Sequence, residues 1–386
     1  MGQINGRDNR IKLGMVGGGQ GAFIGSVHRI AARLDDHYTL VAGALSSEPE
    51  RAKASAIELG ISPDRAYGSY ADMFKAEAMR SDRIDVVAIV TPNNMHFLIA
   101  KAALEAGFHV ICDKPLTTTL ADGVALKKLV KDTGRIFCVT HNYTGYPLVR
   151  HARAMISEGL LGDIRNVQVE YAQGWLAEPI EAKGQKQASW RTDPIQSGLG
   201  GCIGDIGTHA INICNFVTGL KIEKLLADLQ TFVPGRRLDD HVQIMLRFNN
   251  GATGLLWASQ IAIGSENALR FRIFGSKGSL SWEQENPNIL HHTPNDGPTR
   301  VITRAGSGTN FSASRVTRIP GGHPEGYLEG FATIYTEAAR AIIAHKNGNL
   351  ADVDVVYPNI DDGLLGVLFI EAALKSAKDG NVWVSI

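Results

Sequence analysis

A lysine, a carboxylate and an imidazole in this chain are of the right types to move a proton and steady an oxyanion. Lys114 lies in Phe108 to Thr119, FHVICDKPLTTT, where an apolar run ends and Asp113, Lys114 and Pro115 follow. Open α/β sheets collect reactive groups at such strand ends, and Pro115 keeps the preceding residues extended so that the lysine projects from the tip. Asp205 and His209 are four residues apart where the helical run Ala210 to Phe216 begins, so their side chains share one helical face. Gly200, Gly201, Gly204 and Gly207 clear space around that face. An imidazole titrates near neutrality and suits a proton acceptor. A lysine cation steadies developing alkoxide charge or, when desolvated, takes the proton itself. Asp205 would orient His209 and hold a neighbouring substrate hydroxyl. A metal bound by Asp205 and His209 is the competing use, but no third ligand falls at a recognisable spacing.

Such a set suits oxidation of an alcohol if a hydride acceptor is at hand, and the N-terminal stretch carries the mark of one. Lys12 to Val16 reads as a short strand, followed by Gly17-Gly18-Gly19-Gln20-Gly21-Ala22 and an amphipathic segment, Phe23 to Leu34. Gly17, Gly19 and Ala22 fit the G-x-G-x-x-G/A dinucleotide fingerprint, with Gln20 and Gly21 completing the turn. The first glycine allows the tight turn, the second admits a pyrophosphate, and the third small residue packs helix against strand. After the strand Tyr38 to Leu45, however, Ser46 and Ser47 stand where an acidic ribose ligand is usual, and Arg51 follows. NAD is the expected cofactor and NADP stays open, with Arg51 either meeting a 2′-phosphate or lying on the surface. Thr91, Pro92, Asn93 and His96 follow the strand Ile84 to Val90 and are candidates for nicotinamide and ribose contacts, as is Asp113.

The elements that must position these groups alternate strand and helix through Thr140, with Gly107 and Gly134 as helix stops. That grammar implies an α/β fold, an N-terminal doubly wound parallel sheet over residues 1–145. Residues 146–386 read as an α+β domain with a large, mostly antiparallel open sheet for the substrate. Its strands are Asn166 to Gln173, Ile222 to Phe232, Asp240 to Phe248, Thr253 to Ile263, Leu269 to Gly275 and Gly278 to Glu283. Gln284 to Gly322 reads as a long irregular excursion, a candidate lid. The two closing helices are free to pack back on the first domain. Two domains suit 386 residues, and 44% apolar content allows two full cores. Lysine plus arginine balances aspartate plus glutamate, 39 against 39, which argues against nucleic acid or a membrane as partner. The four cysteines show no close pairing, so reduced thiols are expected. The polar start and the absence of a long apolar run point to a cytoplasmic protein.

On Gly17 to Ala22, Thr91-Pro92-Asn93 with His96, Asp113-Lys114-Pro115 and Asp205 with His209, nearly the whole chain resembles the Gfo/Idh/MocA oxidoreductases. Asp113-Lys114-Pro115 is similar to that family's Glu-Lys-Pro, and Asp205 with His209 to its D-x-x-x-H. The resemblance implies a nicotinamide held in a Rossmann domain and a sugar or cyclitol bound against the open-sheet domain. It also implies homodimers or homotetramers formed through that sheet. The chain departs from the pattern at Asp113, a mild change, and at Ser46, which replaces the usual ribose-binding aspartate.

Trp175, Lys186, Trp190 and Arg191 precede the Asp205 segment and suit a sugar, whose ring faces are apolar and whose rim is polar. Arg191 would pair with an acidic substituent if there is one. His141, Tyr143 and His323 are further substrate candidates. The leading expectation is a dehydrogenase for a sugar, glycoside or cyclitol. The alternative is an NAD-dependent glycosidase that oxidises its substrate transiently, eliminates the aglycone and reduces the sugar again.

Overall fold

The computed structural model describes residues 10–386, and the polar start, residues 1–9, lies outside the described residues. The chain divides into two compact units, and it passes from one to the other more than once.

The first unit holds the chain up to Thr117, Ala121–Asn142 and Leu328–Leu364. Five parallel strands form its sheet: β1 Ile11–Gly17, β2 Tyr38–Ala44, β3 Val86–Val90, β4 His109–Cys112 and β5 Phe137–Val139. Every residue of β3, β4 and β5 is buried, as expected where helices cover both faces of a parallel sheet. The order is β2-β1-β3-β4-β5, and an isolated parallel bridge, Gly43 to Ala66, extends it one step beyond β2. With that bridge counted as a residual strand, the order is that of a dinucleotide-binding sheet, whose ligand lies where the order reverses, between β1 and β3. Helix Tyr327–Lys346 belongs almost wholly to this unit. Its Tyr335 backbone oxygen accepts from the Tyr38 hydroxyl (2.8 Å), and its own hydroxyl meets His28 Nδ1 (2.8 Å).

The second unit holds Thr118–Leu120, Tyr143–Tyr327 and Leu365–Ile386. Its nine strands are β6 Ile164–Ala172, β7 Ile222–Gln230, β8 His241–Phe248, β9 Thr253–Ser259, β10 Ala268–Gly275, β11 Gly278–Glu283, β12 Ile289–Pro294, β13 Arg300–Thr303 and β14 Val384–Ser385. They run in the order β13-β12-β11-β10-β6-β9-β8-β7-β14, antiparallel throughout except for the parallel pair β6 and β9. Burial alternates along β8 and β10, so one face packs into the core and the other meets solvent. Val242, Ile244, Leu246, Phe271 and Ile273 join a core with helices Pro147–Ser157 and Thr208–Thr218.

Residues Gln284 to Gly322 are not the irregular excursion that their composition suggests. They contain β12, β13 and a short helix, Phe311–Ser314. The turn Asn295-Asp296-Gly297 closes the β12–β13 hairpin, a signal outweighed by the polar composition around it. Among the described residues no helix is long and apolar enough to cross a membrane.

Candidate active site

In the first unit, the turn after β1 has no room for a side chain at Gly17 or Gly19. Gly17 has φ +81, and a Cβ there would lie 2.8 Å from Val90 O and 2.9 Å from Thr91 Cγ2. A Cβ on Gly19 would lie 2.6 Å from Leu45 O and 2.8 Å from Ser55 Oγ. The close helix-to-turn packing expected of Ala22 belongs instead to Gly25, where a Cβ would come within 2.3 Å of Gly18 O. Ala22 is the residue before helix Phe23–Leu34, and its N–H donates to Gly19 O (3.1 Å). The helix N-terminus, the exposed Gln20 and Gly21, and a cradle that a single methyl would fill fit the pyrophosphate of a dinucleotide. Gly19→Ala is therefore expected to weaken NAD binding at least tenfold while the second unit stays folded. Fluorescence titration with NADH checks this, and an unchanged affinity would count against the cradle.

The far side of the turn is less suited to a 2′-phosphate than Arg51 alone suggests. Arg51 Nη2 donates to Gln20 O (3.0 Å), so the guanidinium braces the glycine turn. Gln20 N donates to Ser55 Oγ (3.2 Å) and Gln20 Nε2 to Glu58 (2.7 Å). Ser46 Oγ accepts from Glu48 N (3.2 Å), and Ser47 is exposed beside it.

After β3 the Thr91 side chain abuts Gly17, and its Oγ1 is buried with no hydrogen-bond partner among the described residues. An orphaned hydroxyl beside the switch point fits a bound cofactor group. Pro92 is exposed and Asn93 buried on the same turn. His96 is fully buried, with Nδ1 2.8 Å from Pro115 O and Nε2 3.1 Å from Thr91 O. It ties the Thr91 turn to the Lys114–Pro115 turn.

Lys114 follows β4, and the Lys114–Pro115 peptide bond is cis. Asp113 Oδ1 accepts from Lys114 N (3.0 Å) and from Thr140 Oγ1 (2.8 Å), fixing the turn to the end of β5. His141 is buried, and burial, aided by the Lys114 charge, pushes its pKa down to about 3. Burial likewise lowers His28 to about 4 and His109 to about 3, the latter aided by His345. Below the ordinary histidine value of about 6.5 the unfolded chain binds protons that these folded rings refuse. Stability present above that value is therefore lost as pH falls through the depressed values, at about 1.4 kcal/mol per pH unit for each ring. The melting temperature is expected to drop steadily between pH 6.5 and 4.5, and a flat profile over that interval would contradict the burial of these rings.

In the second unit, Asp205 and His209 lie on one continuous segment. Ile203–Gly207 is wound as a π-helix and leads into the α-helix Thr208–Thr218, a departure from the regular α-helix that the spacing suggests. Such wider turns recur at functional sites. Asp205 is 15% exposed, and its Oδ2 accepts from Arg191 Nε (3.1 Å) and Gln260 Nε2 (2.9 Å). His209 is buried with its ring edge-on to Tyr143 (centroids 4.8 Å). The Tyr143 hydroxyl bonds the Tyr171 hydroxyl (2.5 Å), which donates to Asn267 Oδ1 (2.8 Å). Gln173 Nε2 also donates to Asn267 Oδ1, and Trp175 Nε1 donates to Gln173 Oε1 (2.9 Å).

Arg191 lies 4.3 Å from the Trp190 ring centroid and 5.9 Å from that of Trp175, and its Nη1 donates to Gln187 Oε1 (2.7 Å). Trp175, Trp190, Arg191, Asp205, His209 and Tyr143 thus belong to one aromatic and polar neighbourhood. Among the described residues, Lys186 and His323 lie outside the hydrogen bonds that join it. Lys186 is exposed at the start of its helix, and His323 is exposed with its carbonyl accepting from Arg304. Sequence reading missed Tyr171, Gln173, Gln260 and Asn267. Their bonds join residues far apart in the chain, which no local spacing reveals.

Residues 11–141 match the family described as "Oxidoreductase family, NAD-binding Rossmann fold", and residues 149–281 match the GFO/IDH/MocA C-terminal domain. The crystal structure of an oxidoreductase from Sinorhizobium meliloti is 53% identical, with TM-score 0.89 over 97% of this chain and 99% of that one. An inositol dehydrogenase homolog from Azotobacter vinelandii, complexed with NADH and myo-inositol, is 37% identical, with TM-score 0.92 over 99% of this chain and 100% of that one. Levoglucosan dehydrogenase of Pseudarthrobacter phenanthrenivorans is 30% identical over 97% of this chain and 98% of its own length. With both domains matched and full-length relatives at these identities, the chain belongs to the Gfo/Idh/MocA family of NAD-binding oxidoreductases.

Proposed function

We propose that the protein is an NAD-dependent dehydrogenase acting on a secondary alcohol of a sugar, glycoside or cyclitol. The observation that carries this reading is Asp205, a largely buried carboxylate four residues before His209, held by Arg191 and Gln260 among tryptophan and tyrosine rings. Apolar ring faces beside a dense rim of hydrogen-bonding groups suit a polyhydroxylated ring. The relatives that bind myo-inositol and levoglucosan support the same substrate class.

Bound NAD supplies the hydride acceptor. Gly17 to Ala22 would hold its pyrophosphate, and Thr91, Asn93 and Asp113 would contact its ribose and nicotinamide. A ring nitrogen of His209 takes the hydroxyl proton as the alcohol is oxidised. Lys114 Nζ donates to the oxygen as alkoxide charge develops. Asp205 accepts a hydrogen bond from a neighbouring substrate hydroxyl, Arg191 supports it, and Tyr143 holds the plane of the His209 ring. NAD is the physiological cofactor on this reading, since Arg51 is engaged with the glycine turn. Four free, buried cysteines suit a reducing compartment, and the reading places the enzyme in the cytoplasm. It also assigns a dimer or tetramer to the solvent-facing side of the nine-stranded sheet, where Met245 and Leu255 are 41% and 49% exposed.

The test is to incubate the protein with NAD or NADP and a panel of cyclitols, free sugars, anhydrosugars and glycosides, following nicotinamide absorbance and released aglycone together. Reduced NAD accumulating with one polyol class is expected. Aglycone release that requires NAD without net reduction would replace this reading with redox-cycling hydrolysis.

A further inference from the structure

The segment carrying Asp205 and His209 has no capping side chain at its own start. Its first N–H groups nevertheless need acceptors, because a buried unpaired N–H is costly. Three N–H groups at and just before that start turn to one distant residue. The Asp239 carboxylate accepts from Gly201 N through Oδ1 (2.7 Å) and from Ile203 N through Oδ2 (2.7 Å). Its main-chain oxygen accepts from Cys202 N (2.8 Å). Three successive N–H groups thus converge on a residue that is only 8% exposed. A Cβ on Gly201 would lie 2.2 Å from Asp239 O, so glycine is needed for the approach.

Asp240 extends the anchorage. Its carboxylate accepts from Phe232 N and Val233 N (2.9 Å each), and its main-chain oxygen accepts from Gln260 N (3.0 Å). Gln260 in turn donates its side chain to Asp205 Oδ2. Arg236, 3.5 Å from Asp240 Oδ2, donates to Leu176 O (2.7 Å), beside Trp175. Bonds from this Asp pair therefore reach Asp205 twice, through the backbone at 201–203 and through Gln260.

We propose that Asp239 is a positioning residue for Asp205 and His209, its carboxylate fixing the start of the π-helical segment that bears both. Burial pushes the Asp239 carboxyl up to about 6 despite its N–H donors, so keeping it ionised at neutral pH has a cost. What Asp205 and His209 accomplish rests on the dehydrogenase reading, while the anchorage itself does not.

Asp239→Asn keeps the shape but replaces one acceptor by a donor, and Gly201→Ala strikes the same contact from the other side. Both are tested as full chains with two readouts. The first is the set of side-chain ¹H–¹⁵N resonances of protein labelled with ¹⁵N-histidine, with His28 and His109 as internal references in the first unit. The second is turnover of whichever polyol the wild type oxidises, together with NADH affinity. The expected result for each folded variant is a displaced His209 resonance with the references unmoved, and a kcat reduced about tenfold or more. NADH affinity is expected to stay within about twofold. The primary isotope effect on kcat with a carbinol-deuterated substrate is expected to rise, whereas simple loss of folded protein would leave it unchanged. An unmoved His209 resonance in a folded variant would overturn the proposal, as would an unaltered kcat. If the wild type oxidises no polyol, the functional reading fails by itself and the His209 resonance still decides the role of Asp239.

Discussion

Lys114→Met is expected to lower kcat by about 10²–10³-fold, the range seen when a preorganised donor to a developing oxyanion is removed. The side chain follows a turn held by Asp113, Thr140 and His96, so the lysine is delivered to a fixed place at the carboxyl edge of the sheet. Methionine keeps most of the aliphatic length and removes only the charge and its N–H donors. NADH affinity should therefore change little, because the glycine cradle and Thr91 are untouched. Steady-state kinetics with a fluorescence titration separate the two effects, and a variant with kcat near the wild-type value would remove Lys114 from the reaction.

His209→Ala is expected to cost about 10²–10⁴-fold in kcat/KM, the usual contribution of a general base. The acid limb of the wild-type pH–rate profile should disappear with it, since the group that must be neutral to accept the proton is gone. The ring packs edge-on to Tyr143, so its removal leaves a space of imidazole shape against the tyrosine pair. Added imidazole is accordingly expected to restore part of the rate. Persistence of the acid limb in this variant would transfer the base role to Lys114, the assignment that residue types leave open.

Much of the cofactor half was legible because its chemistry is written in local spacing. Gly17 and Gly19 are adjacent to the strand they terminate, and Thr91 and Lys114 each follow the apolar run that becomes β3 or β4. Where the turn departs from the commonest spacing, the reading slipped. Gly25 takes the packing role expected of Ala22 because the helix begins at Phe23 and its first turn carries the glycine. That His96 is buried and ties two turns together is a tertiary fact that its place after a strand does not announce. Residues 328–364 count with the first unit through contacts such as Tyr38 with Tyr335, which no periodicity in the closing helices announces.

The substrate half was legible in its candidates but not in their pairing. Arg191 and Asp205 were each visible as chemistry, but the guanidinium stacked near Trp190 and bonded to Asp205 is a tertiary fact. Asp239 was invisible because its partners are backbone N–H groups of a glycine-rich turn, which carry no side-chain signature. β12 and β13 escaped notice because β13 is a short edge strand and the polar residues of both, among them His291, His292 and Arg300, resemble those of a loop.

The most direct measurement uses a polyol deuterated at its carbinol carbons, incubated with the wild-type protein and unlabelled NAD, with the nicotinamide examined by mass spectrometry. The account predicts NADH carrying a single deuterium, on one face of the ring only, and no such transfer in Lys114→Met or His209→Ala over the same interval. NADH formed without the label, or label lost to solvent while NAD stays oxidised, would contradict direct hydride transfer between the polyol and the nicotinamide.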